Sequence, residues 1–502
     1  MTWKTLATTA LAGCLFAFAG QAADLRIALQ DDPDMLDPAQ SRSFVGRIVY
    51  ASLCDKLVDI NENVEFVPML ATDWSTSDDG LKLVMNLREG VTFHDGEPMN
   101  AEAVVYTITR NMTLAESRRK SELASVDKVE ATGPLQVTFT LKKPDASLVA
   151  QLSDRAGMIV SPKAAEAAGA NFGANPVCAG PFKFVERIAQ DRIVLEKFAD
   201  YWDAGNFHID RVTFTPIPDS TVRLANLRSG DVQLVDRIAA TDAATVQGDA
   251  SLGYAEAVGL GSMGMYVNIG NGDNAQKPMG QSKALRQAFS MAIDREAINQ
   301  VVFSGTALAG NQPWPPTSPW YNKDIPVQPR DIEKAKALVK EAGVDRIAVT
   351  LKHHNNPVVT QTMQMIQAMV AEAGFDVSLI STEFATLLNN QSTGDYEMTR
   401  SDWSGRPDPD GNVHQFYHSK GGLNDMKYAN PEVDALLDGA RASSDPAERK
   451  AKYDAFAAIV TDELPIITFG HQKFLYGFTA TLTGFEAYPD AMIRLKGVKL
   501  DN

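Results

Sequence analysis

Several residue sets in this chain have the types that chemistry uses, and their spacing decides what each can do. His414 and His418 stand four apart, so on a helix both imidazoles share one face. A zinc peptidase places an acid directly after the first histidine. Here Gln415, Phe416 and Tyr417 intervene, and two histidines alone do not close a metal site. The reading is a surface helix without metal. Asp408-Pro409-Asp410-Gly411-Asn412 opens like a calcium loop, but an EF-hand needs Gly at its sixth position and Glu at its twelfth, where Val413 and Ser419 stand. Gly259-Leu260-Gly261-Ser262-Met263-Gly264 fits G-x-G-x-x-G. The dinucleotide motif requires a helix next, and Met265-Tyr266-Val267-Asn268-Ile269 reads as a strand, so the glycines are read as a flexible crossover. No G-x-S-x-G occurs and no cysteine sits in a nucleophile context. No catalytic residue, metal ligand or cofactor is assigned.

The elements that would position any site follow from periodicity. Leu25-Arg26-Ile27-Ala28-Leu29 reads as a first strand. Residues 81–200 are β-rich: Leu81, Leu83, Met85 and Leu87 alternate with polar residues, as do Val137, Phe139 and Leu141. From residue 265 strand and helix alternate. Leu285, Ala288, Phe289, Ala292, Ile293, Ile298 and Val301 make one helical stripe, with Ser282 able to cap its start and Gly305 past its end. A strand at 347–351, a helix at 360–373 and a strand at 376–380 form a βαβ unit, which implies two parallel strands. Between them Gln312-Pro313-Trp314-Pro315-Pro316-Thr317-Ser318-Pro319-Trp320-Tyr321 can enter neither helix nor central strand. It is an ordered surface loop whose tryptophans either line a pocket or pin the loop.

A length of 502 residues predicts about three folding units at roughly 150 residues each. The net charge of −16 repels phosphate backbones and argues against nucleic acid as a partner. Residues 1–22 read as a secretory signal peptide: Lys4, the apolar run from Leu6 to Phe18, then small residues at Gly20 and Ala22. Leu11-Ala12-Gly13-Cys14 matches a lipobox, but apolar Leu15-Phe16-Ala17-Phe18 follows where a polar tether belongs, so Cys14 is assigned to the signal. The mature chain keeps Cys54 and Cys178, either one disulfide or two buried thiols.

Longer segments resemble family 5 of the extracytoplasmic solute-binding proteins, the oligopeptide and dipeptide group of ABC importers. Asp73-Trp74-Ser75 through Asp79-Gly80-Leu81, then Leu87-Arg88-Glu89-Gly90-Val91-Thr92-Phe93-His94-Asp95-Gly96, are similar to its early motifs. Asn175-Pro176-Val177-Cys178-Ala179-Gly180-Pro181-Phe182 is similar to its N-P-V-x-x-G-P-[FY] segment. Asp200-Tyr201-Trp202, Leu285-Arg286-Gln287-Ala288, Ala292-Ile293-Asp294-Arg295 and Ala335-Lys336-Ala337-Leu338 follow in the family's order. The resemblance implies an α/β, two-lobed periplasmic-binding-protein fold of type II with an extra inserted subdomain. The lobes are joined by two crossover hinges, near 259–264 and 470–476. Lobe I is expected at 23–264 plus 475–502, with the insertion at about 56–174, and lobe II at 265–474. Cys54 and Cys178 then flank the insertion, which favours the disulfide. His94 is expected to organise its turn. The implied protein is a periplasmic monomer rather than an enzyme. It would capture a peptide-like or other small solute, deliver it to permease subunits, and meet the membrane only through them. A signalling adjunct or a secreted hydrolase is the alternative.

The resemblance also points to residues 400–410 as a pocket segment. In peptide-binding relatives the third residue after its tryptophan is an acid that holds the peptide's α-amino group. Here Trp403 is followed at that position by Arg406, which would repel an ammonium. Arg400 is retained and could grip a carboxylate. His353 and Asn355 align with the Arg and Tyr of dipeptide binders. The expected ligand residues are therefore Arg400, Trp403, Arg406, Asp408, Asp410, His353 and Asn355, around an anionic or polar ligand. The opposing reading ties Arg406 to Asp402, Asp408 or Asp410.

Overall fold

The computed structural model describes residues 23–343 and 346–501. The expected signal segment 1–22, with Cys14, lies outside the described residues. Among the described residues no helix is long and apolar enough to cross a membrane.

Three sheets organise the chain. The first has seven strands in the order Leu252–Val258, Lys473–Thr479, Leu234–Val235, Asp24–Leu29, Arg211–Pro216, Arg192–Lys197 and Phe182–Ile188. Asp24–Leu29 lies at its centre, parallel to Arg211–Pro216 and to Leu234–Val235, and Leu25, Ile27 and Leu29 are fully buried. The second has six strands: Leu308–Ala309, Ile466–His471, Ser262–Val267, Met398–Trp403, Ile347–His354 and Phe375–Thr382. In it Ile347–His354 and Phe375–Thr382 are parallel across the helix Pro357–Ala371, as a strand–helix–strand order requires. The third is a four-stranded antiparallel sheet in the order Ala71–Thr76, Lys82–Leu87, Gln136–Leu141 and Val126–Gly133. There Leu83, Met85 and Leu87 face the core together with Val137, Phe139 and Leu141. Each sheet has its own hydrophobic core.

The chain passes between the first two sheets twice. One passage runs between Val258 and Ser262, the other between His471 and Lys473. Both are shorter than expected, because Ser262–Gly264 and most of 470–476 already pair as strands. The glycine run is also no flexible link. A Cβ on Gly261 would lie 1.7 Å from the Trp403 carbonyl oxygen, and one on Gly405 (φ +91°) 2.3 Å from the Leu260 carbonyl carbon. Two glycines thus let two backbones touch where the second sheet begins.

The stripe from Leu285 to Val301 forms two helices, Lys283–Met291 and Arg295–Phe303. Ser282 caps the first by accepting from the Leu285 N–H. Asp294 breaks the run because its carboxylate accepts from the Ala297 N–H and starts a second helix. The proline-rich loop is pinned rather than pocket-lining: Trp314 is buried edge-on to Tyr453 at 5.4 Å, and Trp320 also packs on Tyr453.

Cys54, just past the helix Phe44–Leu53, is disulfide-bonded to Cys178. Gly180 makes the approach possible, since a Cβ there would meet the Leu53 carbonyl at 2.4 Å. His94 braces the same spot. Its Nε2 lies 3.0 Å from the Gly180 carbonyl and its Nδ1 faces the Cys178 N–H; burial pushes its pKa down to about 4.

Candidate functional site

A cavity lies between the first two sheets, lined by residues of both. The strand Met398–Trp403 supplies one wall. Arg400 is 2% exposed, pairs with Asp402, donates to the Gly264 carbonyl at 3.0 Å and lies over the Phe469 ring. Trp403 faces the cavity and meets Phe416 edge-on at 4.7 Å.

Asn412 organises this segment and was hidden in the failed calcium motif. Its Oδ1 accepts from Trp403 Nε1 at 2.8 Å and from the Arg406 N–H at 2.7 Å, and its Nδ2 donates to the Arg406 carbonyl at 3.0 Å. A single side chain therefore fixes both the indole and the backbone behind it.

The other expected residues fall elsewhere. Arg406 does not line the cavity. It lies against the Trp403 ring at 4.1 Å and pairs through Nε with Asp154 at 3.1 Å, an acid 252 positions away that neither reading of Arg406 had considered. Asp408 is held bidentately by Arg449 at 2.6 and 2.9 Å. Asp410 is held by Arg441 at 2.6 and 3.0 Å and by Gln151 at 2.9 Å. Neither acid lines the cavity. His353 and Asn355 are displaced by one position: His353 turns to the His354 carbonyl and Asn355 is exposed, while their neighbours His354 and Asn356 line the cavity. Side chains alternate along an extended strand, so an alignment offset of one residue exchanges the two faces. Burial pushes the His354 pKa down to about 3, so it is neutral at pH 7.

His414 and His418 are buried rather than on a surface, and their rings stack at 4.4 Å. Asp438 lies 3.6 Å from His414 Nε2, and the ligand atoms of the three residues lie within 4.8 Å of one another. Lys143 at 3.0 Å already neutralises Asp438, and the Lys420 N–H already occupies His418 Nδ1.

Most of the cavity's charge comes from arginines that no motif marked. Arg42, Arg47, Arg155, Arg223 and Arg237 all line it. Arg42 is matched by Asp425. Arg237 adopts φ +61° and lies against both the Phe44 and Phe474 rings at 4.4 and 4.8 Å. Around Arg155 the balance fails. In the ion pairs among the described residues, the guanidinium groups of Arg47, Arg119, Arg155 and Arg406 meet only two carboxylates, Asp154 and Glu122. Arg155 Nε and Nη2 and Arg406 Nη2 are buried without hydrogen-bond partners. Burial, together with Arg119, pushes the Arg155 pKa down to about 10. Burial would raise Asp154, but Arg406, Arg47 and Arg155 outweigh it and hold its carboxyl well below the usual range.

The profile of "Bacterial extracellular solute-binding proteins, family 5 Middle" matches residues 65–424. Among curated proteins, the glutathione-binding protein GsiB of Escherichia coli (strain K12) is 28% identical over 498 residues, covering 97% of this chain and 95% of that one. Among solved structures, the periplasmic binding protein DppA of Helicobacter pylori, in complex with the peptide STSA, superposes with a TM-score of 0.87 at 25% identity, covering 96% of this chain and 98% of that one. AgaA from A. tumefaciens R10, in complex with agropinic acid, superposes at 0.85 with 27% identity, covering 95% and 99%. All three are binding proteins.

Proposed function

The chain belongs to family 5 of the bacterial extracellular solute-binding proteins, which capture solutes for ABC importers, and we propose that its own ligand is a small solute with at least one anionic group. The observation that carries this reading is the unbalanced cluster. Four guanidinium groups around two carboxylates leave a buried positive surplus, and Arg47 and Arg155 present it to the cavity. A carboxylate from the ligand would supply the missing charge and the missing hydrogen-bond acceptors, and guanidinium binds carboxylate through paired N–H groups. Arg400 and Trp403 add a second donor and an apolar wall. Glutathione and agropinic acid, the ligands named for two relatives, both carry carboxylates.

In this reading residues 1–22 direct export to the periplasm. Lobes at 23–264 plus 475–502 and at 265–474 close over the solute as a monomer, and the closed form docks on a permease. Closure links ligand to motion, because ligand touching both lobes favours the closed population. The test is to denature freshly purified protein and identify the released compound by mass spectrometry. An acid is expected; a neutral compound overturns the anionic assignment.

A further inference from the structure

One carboxylate in the cavity is left unanswered by the protein. Asp31 follows the central strand Asp24–Leu29, is 3% exposed and lines the cavity. Among the described residues no hydrogen bond or ion pair reaches its side chain. Two other buried acids, by contrast, are met by protein donors. Asp37 is held by Arg110 at 2.7 and 3.1 Å, and Asp55 by Trp202 Nε1 at 2.7 Å and the Tyr201 hydroxyl at 3.0 Å.

The charges facing Asp31 are Arg223, Arg237, Asp236 and Glu383. Both cations are committed elsewhere. Arg223 donates to the carbonyls of Ile217, Pro218 and Arg237, and Arg237 lies against two phenyl rings with its Nε 3.8 Å from Asp236. Asp236, which does not line the cavity, also has both oxygens buried without a hydrogen-bond partner. Desolvation by burial pushes the Asp31 pKa up to about 8. Leaving a buried acceptor unpaired is costly unless something outside the protein completes it.

We propose that Asp31 is a cation-recognising subsite, which takes a protonated nitrogen of the ligand while the ligand's acid group lies against Arg47 and Arg155. This rests on the anionic reading above and narrows it to a zwitterion of the amino-acid-conjugate class. The two subsites belong to different sets of charges: Asp31 answers to Arg223 and Arg237, the acid end to Arg47, Arg119, Asp154 and Glu122. A bound ammonium would also draw Asp31 to its ionised form.

The test titrates the mature wild-type chain and Asp31→Asn calorimetrically with three probe classes. The first contains glutathione and N-(1-carboxyethyl)alanine. The second contains the same compounds with the nitrogen acetylated, and the third amine-free dicarboxylates such as glutarate. The expected result is that a zwitterion binds wild type and that acetylation weakens it on the order of 30-fold or more. Asp31→Asn should weaken it by a similar factor, and acetylation should cost nothing further in the variant. Acids binding equally well with or without the amine, and losing affinity in Arg155→Ala, would overturn the Asp31 subsite while leaving the anionic reading intact. Binding confined to neutral compounds, or no binding by any probe, would overturn both. The melting temperature of unliganded Asp31→Asn is expected to equal or exceed that of wild type. A clear fall would mean that Asp31 serves Arg223 and Arg237 structurally, and would overturn the proposal.

Discussion

Two arginine-rich regions lie within one segment's reach of each other and are built on opposite rules. Behind the pocket segment, Arg441 meets Asp410 and Arg449 meets Asp408, one guanidinium to one carboxylate, each bidentate. Beside the cavity, Arg47, Arg119, Arg155 and Arg406 share Asp154 and Glu122, and several N–H groups find no acceptor. The first arrangement is complete in the folded chain and holds residues 408–449 in place. The second leaves guanidinium donors unmatched beside the cavity, where the anion proposed above would complete it. A matched buried pair serves architecture, and the mismatched one is the feature on which the proposal rests.

The largest effect should come from breaking a matched pair. Asp410→Ala strands Arg441, which is 1% exposed, and frees Gln151. It should cost about 3–5 kcal/mol of unfolding free energy, read by chemical denaturation. If it cost no more than a surface substitution, the matched pairs would not be architectural.

Arg155→Met makes the reverse change in the mismatched region. Unliganded stability should hold or rise, since a surplus buried charge is removed, while affinity for the released ligand falls by at least about 2 kcal/mol in calorimetry. A stability loss with unchanged affinity would place Arg155 in the architectural class.

Next comes Asn412→Ala, which removes the acceptor shared by Trp403 Nε1 and the Arg406 N–H. About 1–3 kcal/mol should be lost, appearing in both affinity and stability because this residue ties one region to the other. Loss in stability alone would separate Asn412 from the site.

The pH dependence distinguishes the regions by sign. At Asp410, burial raises the pKa but Arg441, His414 and Arg449 together outweigh it, so the folded value lies below the unfolded one. Its contribution is present above the unfolded carboxylate pKa and is lost as pH falls through the folded value. Asp31 is raised to about 8, so the folded state holds its proton longer, and unliganded stability from this group falls as pH rises from about 4 to about 8. Melting curves of Asp410→Asn should lose the acid-side slope, and those of Asp31→Asn the slope toward neutrality.

The smallest change is expected at Lys143→Ala. The Lys143–Asp438 pair spans 3.0 Å but is nearly half exposed on both sides, and such pairs contribute at most about 1 kcal/mol. A larger loss of stability would show that exposed contacts also carry part of the architecture.

Much of the local structure was readable from residue order. The alternation at Leu83–Leu87, the Ser282 cap and the parallel strands on either side of Pro357–Ala371 follow from period, capping chemistry and connection length, all acting locally along the chain. The division of one helical stripe at Asp294 was missed. An apolar stripe reports a buried face and not the backbone break that a capping carboxylate makes within it.

The sequence by itself carried the reading of an export signal, the change from β-rich to alternating strand and helix near residue 265, the cysteine pair open to bonding, and the presence of Arg400 and Trp403 in a segment resembling a pocket. It could not determine which charges answer one another. Arg406 meets Asp154 across 252 positions, Arg47 meets Ser404 across 357, and Arg42 meets Asp425 across 383. Asp31 is distinguished only by the partners it lacks. Coulomb and hydrogen-bond energies depend on distance in space and on exclusion of water, and neither is a function of position along a chain. The packing of the sheets therefore decided which acids hold the fold and which groups were left open for a ligand.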